Sequence, residues 1–522
     1  MLKAARRKAQ AYLPASLSSA SATGLRNEKS PLVYSRLLTV GITESMTAYK
    51  LWIVFVLLTG FVYTTSLPGA FHFDDFPLML ENPLVHDHFP LSRFLDHYGG
   101  RPLTLFTFYW NHRVFGAEPL TYHLASLGLH LLSVALFSCL LWQMSQNWTL
   151  AAGASLLFAL HPVQTQAVNY IWSRSVLLMT CLSLAALLLL RARPWLALAC
   201  FQLAIWSRVE ALVLAPFLFS KEPLRWRPIF LVTLVNLAVF SASLAMYRPP
   251  NILATHPNIM QYWAAQPAVF WKYLSLMLWP SGLSIDHNLS GPSVGATLLG
   301  LLCAVALGTA TWKLRRANPL ASWGGAWLLL TLLPSSLIPN SDLINESRLY
   351  FPMVGFSLFA SATLTSDRRG ANFRWVWLVM AVWILAMLPK TLERNALWQD
   401  DVALWQDAAT KHPGKLRVRY NLGVAWARQG DCGRAREQFE TALALNPRDD
   451  MSYAALGYCA EVEGDLTSAR RLYGIAVGHN AQNRYAREGL VRLKRDGSGG
   501  AKREPIQEDH SRKAGDRESE VL

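Results

Sequence analysis

The sequence predicts an all-α protein in two parts, a polytopic membrane helix bundle of about eleven spans followed by a soluble α-solenoid. Three observations carry this. Of 522 residues, 52% are apolar and only 16% are charged, against ~25% charged in ordinary soluble domains. The apolar residues gather into continuous runs near helix-spanning length between residues 51 and 389. Beyond residue 389 a 34-residue period takes over. The mean hydropathy of +0.20 averages this apolar body with polar ends at 1–50 and 390–522. A single soluble enzyme is excluded, and so is an outer-membrane β-barrel, whose strands would alternate over ~10 residues.

In chain order, residues 1–46 hold Lys3, Arg6, Arg7, Lys8, Arg26, Lys29 and Arg36 among Ser and Ala, and read as a disordered basic extension. A transit peptide is a second reading, and Met46, just before the first apolar run, is an alternative start. The run 51–67 is expected to be a retained first span with a cytoplasmic N-terminus. Further runs fall at 121–142, 150–160, 169–190, a broken hairpin at 195–219, then 229–247, 294–312, 320–338, 349–364 and 375–388. The shortest of these are expected to be tilted or re-entrant helices covered by neighbours. With this threading the clusters Arg191/Arg193, Lys221/Arg225/Arg227, Lys313/Arg315/Arg316 and Arg368/Arg369 all face the cytoplasm, as the positive-inside rule requires. The net charge of +15 is thereby explained by topology, and no nucleic-acid partner is expected. Cys139, Cys181, Cys200 and Cys303 lie in apolar runs, where a cysteine acts as a small hydrophobe.

The same threading puts 67–120, 161–168, 207–210, 248–293 and 339–348 on the opposite face, with nearly every acid and histidine of the membrane part. A polar site is therefore expected to open outward. Asp74 and Asp75 stand side by side among aromatics in FHFDDFPLMLENP; desolvation at a membrane surface raises the pKa of one of the pair and suits a general base. A solvated turn is the plainer alternative. Arg101 follows in GGRPLT, His123 and His130 share a helix face in YHLASLGLH, and His161, Gln164 and Gln166 lie in ALHPVQTQAV. Arg208 and Glu210 sit at the break of the hairpin, and Glu346 and Arg348 at the edge of a span. Charges at such depth mark functional sites or structural ion pairs. Arg101, Arg174 and Arg348 offer planar forks for a phosphate. His86, Asp87 and His88 are a poor metal set without a second shell, and no metal site is expected.

In the tail, Asn421, Leu422, Gly423, Trp426, Gly430, Ala435, Phe439, Ala442 and Pro447 of unit 416–449 fall at the tetratricopeptide positions. Tyr453, Leu456, Gly457, Gly464, Ala469, Tyr473 and Ala476 repeat the register in 450–483. Residues 398–413 resemble the second helix of a degenerate unit, 484–494 would cap the stack, and 495–522 read as a disordered tail. An odd number of spans puts this domain outside the cytoplasm, where a Cys432–Cys459 bridge is one open alternative.

FDDFPLMLENP, RPLTLFTFYWN, YHLASLGLHLL, LHPVQTQAVNYI and ESRLYFPMVGF, followed by the repeats, resemble the bacterial relatives of the transmembrane O-mannosyltransferases with tetratricopeptide repeats, which share the GT-C glycosyltransferase fold. The resemblance divides the chain into a transmembrane GT-C-like domain at 47–389 and a repeat domain at 390–494. It implies a multi-pass enzyme of the inner membrane, with its repeat domain periplasmic. Such an enzyme moves sugar from a polyprenyl-phosphate donor to a protein or glycan acceptor on the outer face. Carried over, Asp74 and Asp75 are the base pair, with Asp75 preferred; Glu346 and Arg348 match the ERLYxP-like motif and His161 the HP motif. Ser126 stands where relatives often have Asn, and Gln164 and Gln166 replace the His and Glu of the animal enzymes. Arg101, His123, Arg174, Arg208 and Glu210 complete the expected substrate-binding set. No cofactor is certain from the sequence, and a divalent cation, Mg or Mn, is left open. One base and no covalent intermediate would invert the anomeric centre. Two other classes remain open to the sequence. A transporter should show midplane polar residues and internal repeats; a non-catalytic membrane-anchored scaffold for envelope assembly would recruit partners through the repeats.

Overall fold

The computed structural model describes residues 53–86, 101–221, 226–246, 259–289, 291, 293–339, 342–364 and 373–496. The expected basic extension at 1–46, nearly all of the tail, and Asp87, His88, Arg225, Arg368 and Arg369 lie outside these. All regular structure among the described residues is helical.

Helix α1 (Ile53–Thr64) leads into the aspartate turn and the short helix Pro83–His86. Then come α2 (Pro102–Phe115), α3 (Pro119–Ser145), α4 (Trp148–Leu160), α5 (Arg174–Leu189), α6 (Pro194–Ser207), α7 (Ala215–Lys221) and α8 (Trp226–Met246). Proline in the first turn starts α2, α3 and α6, where its missing N–H costs nothing. Asn147 starts α4 by accepting the N–H groups of Thr149 and Leu150. The chain continues through α9 (Ile259–Leu278), α10 (Val294–Ala317), α11 (Pro319–Leu337), α12 (Tyr350–Leu364) and α13 (Phe373–Leu397).

The centre of the bundle is built from α3, α4, α5 and α12, with α6 against α5 and α11 against α12. Phe158 and Tyr350 meet edge to face at 5.1 Å, and the Tyr350 hydroxyl bonds His130 Nδ1 at 2.8 Å. Helices α11 and α12 approach backbone to backbone: a Cβ on Gly355 would lie 2.6 Å from the Gly324 carbonyl oxygen. The outside is the reverse of a soluble surface. Leu298, Leu302 and Val305 of α10, Leu231 and Leu234 of α8, and Val379, Val382 and Leu385 of α13 are all exposed, which fits lipid as the solvent.

Four helical stretches among the described residues are long and apolar enough to cross a membrane: Pro119–Ser145, Ile171–Leu189, Val294–Ala317 and Pro319–Leu337. Shorter apolar helices occupy Ile53–Thr64, Trp148–Leu160, Pro194–Ser207, Val209–Phe219 and Arg227–Ala238. The expected break in the hairpin is present, since α6 ends at Ser207 and a 3-10 turn, Val209–Leu214, precedes α7. Two helices were not expected. Helix α2 lies within the first outward segment and α9 within 248–293.

After α13 the chain forms α14 (Asp401–Lys411), α15 (Leu416–Arg428), α16 (Cys432–Leu445), α17 (Asp450–Val462), α18 (Leu466–His479) and α19 (Arg484–Asp496), each packed on the next. Asp400, Asp431, Asp449 and Asp465 cap four of them. Gly430 and Gly464 turn the hairpins at φ 82° and 86°, a region open to glycine. Gly423 and Gly457 let the rings of Phe439 and Tyr473 close against the neighbouring helix. Cys432 and Cys459 are buried in one cluster as free thiols.

Candidate active site

Beyond α1 the backbone folds tightly over Gly69, where an added Cβ would lie 2.9 Å from His123 Nε2. At Phe73 it enters the left-handed region with φ 44°, a costly conformation for a bulky side chain. That turn separates the two aspartates. Asp75 is 0% exposed; its Oδ2 accepts the N–H of His72 at 2.9 Å and its Oδ1 the N–H of Trp172 at 2.8 Å. Burial pushes its pKa up to about 7, although both N–H groups pull the other way. Asp74 remains partly exposed, and its N–H donates to the Tyr170 hydroxyl at 3.1 Å. Burial raises its carboxyl too, with Asp342 adding to the rise and Arg417 and Arg101 opposing it.

The second acid lies on the 3-10 turn Glu346–Leu349, which Asn345 starts by accepting the Ser347 N–H. Glu346 is 0% exposed. Its Oε1 accepts from the Ser284 N–H at 2.6 Å and from His287 Nε2 at 2.7 Å, and Arg394 stands 3.7 Å from Oε2. Burial works to raise its pKa, but the His287 hydrogen bond and the Arg394 charge outweigh it and hold the carboxyl below the usual range. Arg348 donates to the Asp342 carbonyl at 2.9 Å.

Helices from beyond the bundle complete this face. Arg417 of α15 bonds Asp286 at 2.5 and 2.7 Å and Asp342 at 2.6 Å, and its guanidinium lies over the Phe73 ring at 5.7 Å. Lys415 reaches Asp286 at 2.5 Å. His72 bonds Asp401 at 3.0 Å and the Trp398 carbonyl at 2.9 Å. On the other flank Arg101, left-handed at φ 62°, donates to Ser175 Oγ at 3.2 Å and stacks over Trp172 at 5.5 Å. Burial lowers its pKa to about 10. Arg208 and Glu210 pair at 2.5 Å, within electrostatic reach of Arg101.

The expected site residues thus separate. Asp74, Asp75 and Arg101 share one locus, and Arg208 and Glu210 join it through Arg101. Arg348 joins it through Asp342 and Arg417, while Glu346 is held apart by Ser284, His287 and Arg394. Arg174 lies beneath, donating to Asn111 Oδ1 and the Tyr122 carbonyl, both at 3.1 Å, with Phe108 under its guanidinium. It forms the inner wall of an apolar cleft of about 720 Å3 whose rim includes Trp110, Val114, Leu124 and Leu132. His123 is buried behind the turn. Both ring nitrogens of His161 are engaged: Nδ1 accepts the Val163 N–H at 3.2 Å and Nε2 bonds the Met277 carbonyl of α9 at 3.0 Å. Gln166 accepts the Ser347 N–H at 3.1 Å, and Gln164 donates to the Phe158 carbonyl at 3.0 Å.

Sequence reasoning missed His72, Tyr170, Asp286, His287, Asp342, Arg394, Asp401 and Arg417. The charged stretch LERNALWQDD, directly after the last apolar run, was the available signal for two of them. Among the described residues no group of three or more His, Cys, Asp or Glu is placed to hold a metal ion.

No family model matches the sequence. Curated proteins do. A protein O-mannosyl-transferase of Caenorhabditis elegans is 25% identical over 436 residues, covering 76% of this chain and 62% of its own length. The protein O-mannosyl-transferase Tmtc3 of Drosophila melanogaster is 24% identical over 79% of this chain and 57% of its own. Its Homo sapiens namesake is 24% identical over 77% and 52%. The chain therefore spans between half and two thirds of the length of these relatives. Across about three quarters of its own length, it resembles the protein O-mannosyl-transferases.

Proposed function

We propose that the chain is a multi-pass membrane glycosyltransferase of GT-C type that transfers a sugar from a polyprenyl phosphate to an acceptor hydroxyl, with Asp74 as the base. The observation that carries this is the division of labour in the aspartate turn. Asp75, the carboxylate preferred from sequence, is sealed and committed to two N–H groups. Asp74 keeps an exposed edge beside Tyr170, with Arg101 and Arg417 within electrostatic reach. A base must touch its proton donor, which favours Asp74.

In the reaction Asp74 takes the proton of the acceptor hydroxyl as that oxygen bonds the sugar C1. The C1–oxygen bond to the carrier phosphate breaks from the opposite side, and the phosphate leaves with the electron pair, so the anomeric centre inverts. Arginine is suited to the phosphate charge that develops, and Arg101, which among the described residues makes no ion pair closer than its electrostatic contacts with Asp74 and Glu210, is our candidate. The apolar cleft above Arg174 suits a polyprenyl chain arriving from the bilayer. The names of the relatives favour mannose and a protein acceptor. The four long and five shorter apolar helices support a polytopic membrane bundle, which we read with a cytoplasmic N-terminus, the site facing outward from the inner membrane, and α14 to α19 as a periplasmic tetratricopeptide solenoid able to dock a protein.

The test is transfer by the reconstituted protein from a panel of polyprenyl-phosphate sugars. Asp74→Asn is expected to lower transfer by about 10^2- to 10^4-fold while the protein still elutes as a folded species. Transfer at the wild-type rate by that variant would sink the assignment.

A further inference from the structure

His72 has no role in the chemistry just described, yet it is 0% exposed and both of its ring nitrogens are engaged. Nε2 faces the Trp398 carbonyl oxygen at 2.9 Å and Nδ1 faces Asp401 Oδ1 at 3.0 Å. A carbonyl oxygen only accepts. The Asp401 carboxylate is also an acceptor, since its other oxygen takes Arg428 at 3.4 Å. A neutral imidazole carries one N–H and one bare lone pair, so in either tautomer it would aim a lone pair at an oxygen. Only the doubly protonated ring satisfies both neighbours.

From this geometry we infer that His72 is a positioning residue: a buried imidazolium, clamped between Trp398 and Asp401, that fastens the Asp74–Asp75 turn to the start of α14. The inference rests on the transferase reading above. The fastening is direct, because the backbone N–H of the same histidine donates to Asp75 Oδ2 at 2.9 Å. The Phe73 ring, one residue on, packs edge to face on Trp405 of α14 at 5.7 Å. The left-handed Phe73 is thus held from both sides, as a strained turn must be.

The charged groups facing the imidazole are Asp401, with Arg428 behind it, Asp75 on its own turn, and His123 from α3. Burial pulls the His72 pKa down, but the Asp401 hydrogen bond and charge, the Trp398 carbonyl and Asp75 outweigh it, and the net direction is upward. A raised histidine pKa stabilises the fold fully below the unfolded value of about 6.5, and that stabilisation is lost as pH rises through the folded value. The turn should therefore loosen on the alkaline side.

Asp401→Asn separates charge from shape. An asparagine amide can donate to Nδ1, which lets a neutral ring with a protonated Nε2 keep both bonds. The experiment uses the full chain in nanodiscs with 15N-labelled histidine, as wild type and Asp401→Asn, with His72→Gln to assign the resonance. Ring protonation, hydrogen exchange of residues 70–76 and transfer rate are followed from about pH 6 to pH 9, the range that brackets histidine titration. The expected result is an imidazolium at pH 7 in wild type, with a titration about one pH unit or more lower in Asp401→Asn. In wild type, faster exchange of the turn and the alkaline limb of kcat should follow the ring titration; in Asp401→Asn, whose neutral ring keeps both bonds, that limb should be absent, with KM for the donor unchanged. A neutral ring in wild type at pH 7 overturns the clamp. A kcat limb that stays in place while the ring titration moves overturns the positioning role. If no donor is turned over at all, the transferase reading fails, while ring protonation and exchange still decide the clamp.

Discussion

Adjacent aspartates on one turn have different fates because Phe73 sends them to different environments. In the reading proposed above, Asp75 holds the turn. Replacing it with Asn puts an amide N–H2 against one of two backbone donors, so Asp75→Asn is expected to cost about 1–3 kcal/mol, read as a lower thermal midpoint in detergent. The pH dependence has a definite sign. A buried carboxyl whose pKa is raised to about 7, against about 3.9 unfolded, binds more protons in the folded state between those values. Its contribution to stability therefore falls as pH rises from about 4 to about 7. The stability gap between wild type and Asp75→Asn should narrow over that interval; a gap that widens would contradict the assignment. Glu346 is the opposite case, ionised and matched by His287 and Arg394. Glu346→Gln leaves Arg394 to its second partner, Asp407 at 3.3 Å, but turns an amide N–H2 or a neutral oxygen toward the Ser284 and His287 donors, and is expected to cost about 1–3 kcal/mol by the same measurement. The aspartate pair and the Glu346/Arg348 motif were legible in the sequence because two charges beside an apolar run are conspicuous. His72, Asp286 and Asp401 were not, since their partners lie on elements remote in the chain and a lone histidine among aromatics reads as packing.

Helices with uninterrupted apolar runs were legible to within a few residues, as α3, α10, α11 and α12 show. Helix α9 was missed because Gln261, Gln266, Pro267 and Lys272 break its apolar run, although Tyr262, Ala265, Val269, Tyr273 and Leu276 fall on its buried face at helical spacing. Helix α13 was cut short at residue 388, since its polar end to Leu397 finds protein partners instead: Thr391 bonds the Leu160 carbonyl, Asn395 bonds Asn169 and the Val62 carbonyl, and Arg394 pairs with Asp407 of α14. Small residues did not announce close packing, yet they set it. Gly355→Ala would place a methyl group 2.6–2.8 Å from the backbone of Gly324 and Leu328 and from the Trp327 ring, and none of the backbone can move aside. That variant is expected to lose about 1–3 kcal/mol. Gly474→Ala on α18, where nothing lies within 4 Å of the added atom, should be tolerated, and equal melting of the two variants would refute the close approach.

The whole molecule does not divide into a catalytic bundle and an appendage. Trp398, Asp401, Lys415, Arg417 and Arg428 all reach the aspartate turn or the loops beside it. A chain ending at Leu397 is expected to lose transfer and to be cut by protease near residues 70–76, while a chain ending at Leu445 keeps those five residues and should retain both transfer and protection. Equal protease sensitivity of the two chains would separate the repeats from the site. The contact between His72 and Asp401 also spans 329 positions of sequence. During synthesis the aspartate turn is made early, and its fastening emerges only after every membrane helix has been inserted. A partly made chain therefore carries its acids without the means to hold them in place, and the turn takes its final form only when the helices after the bundle have joined it.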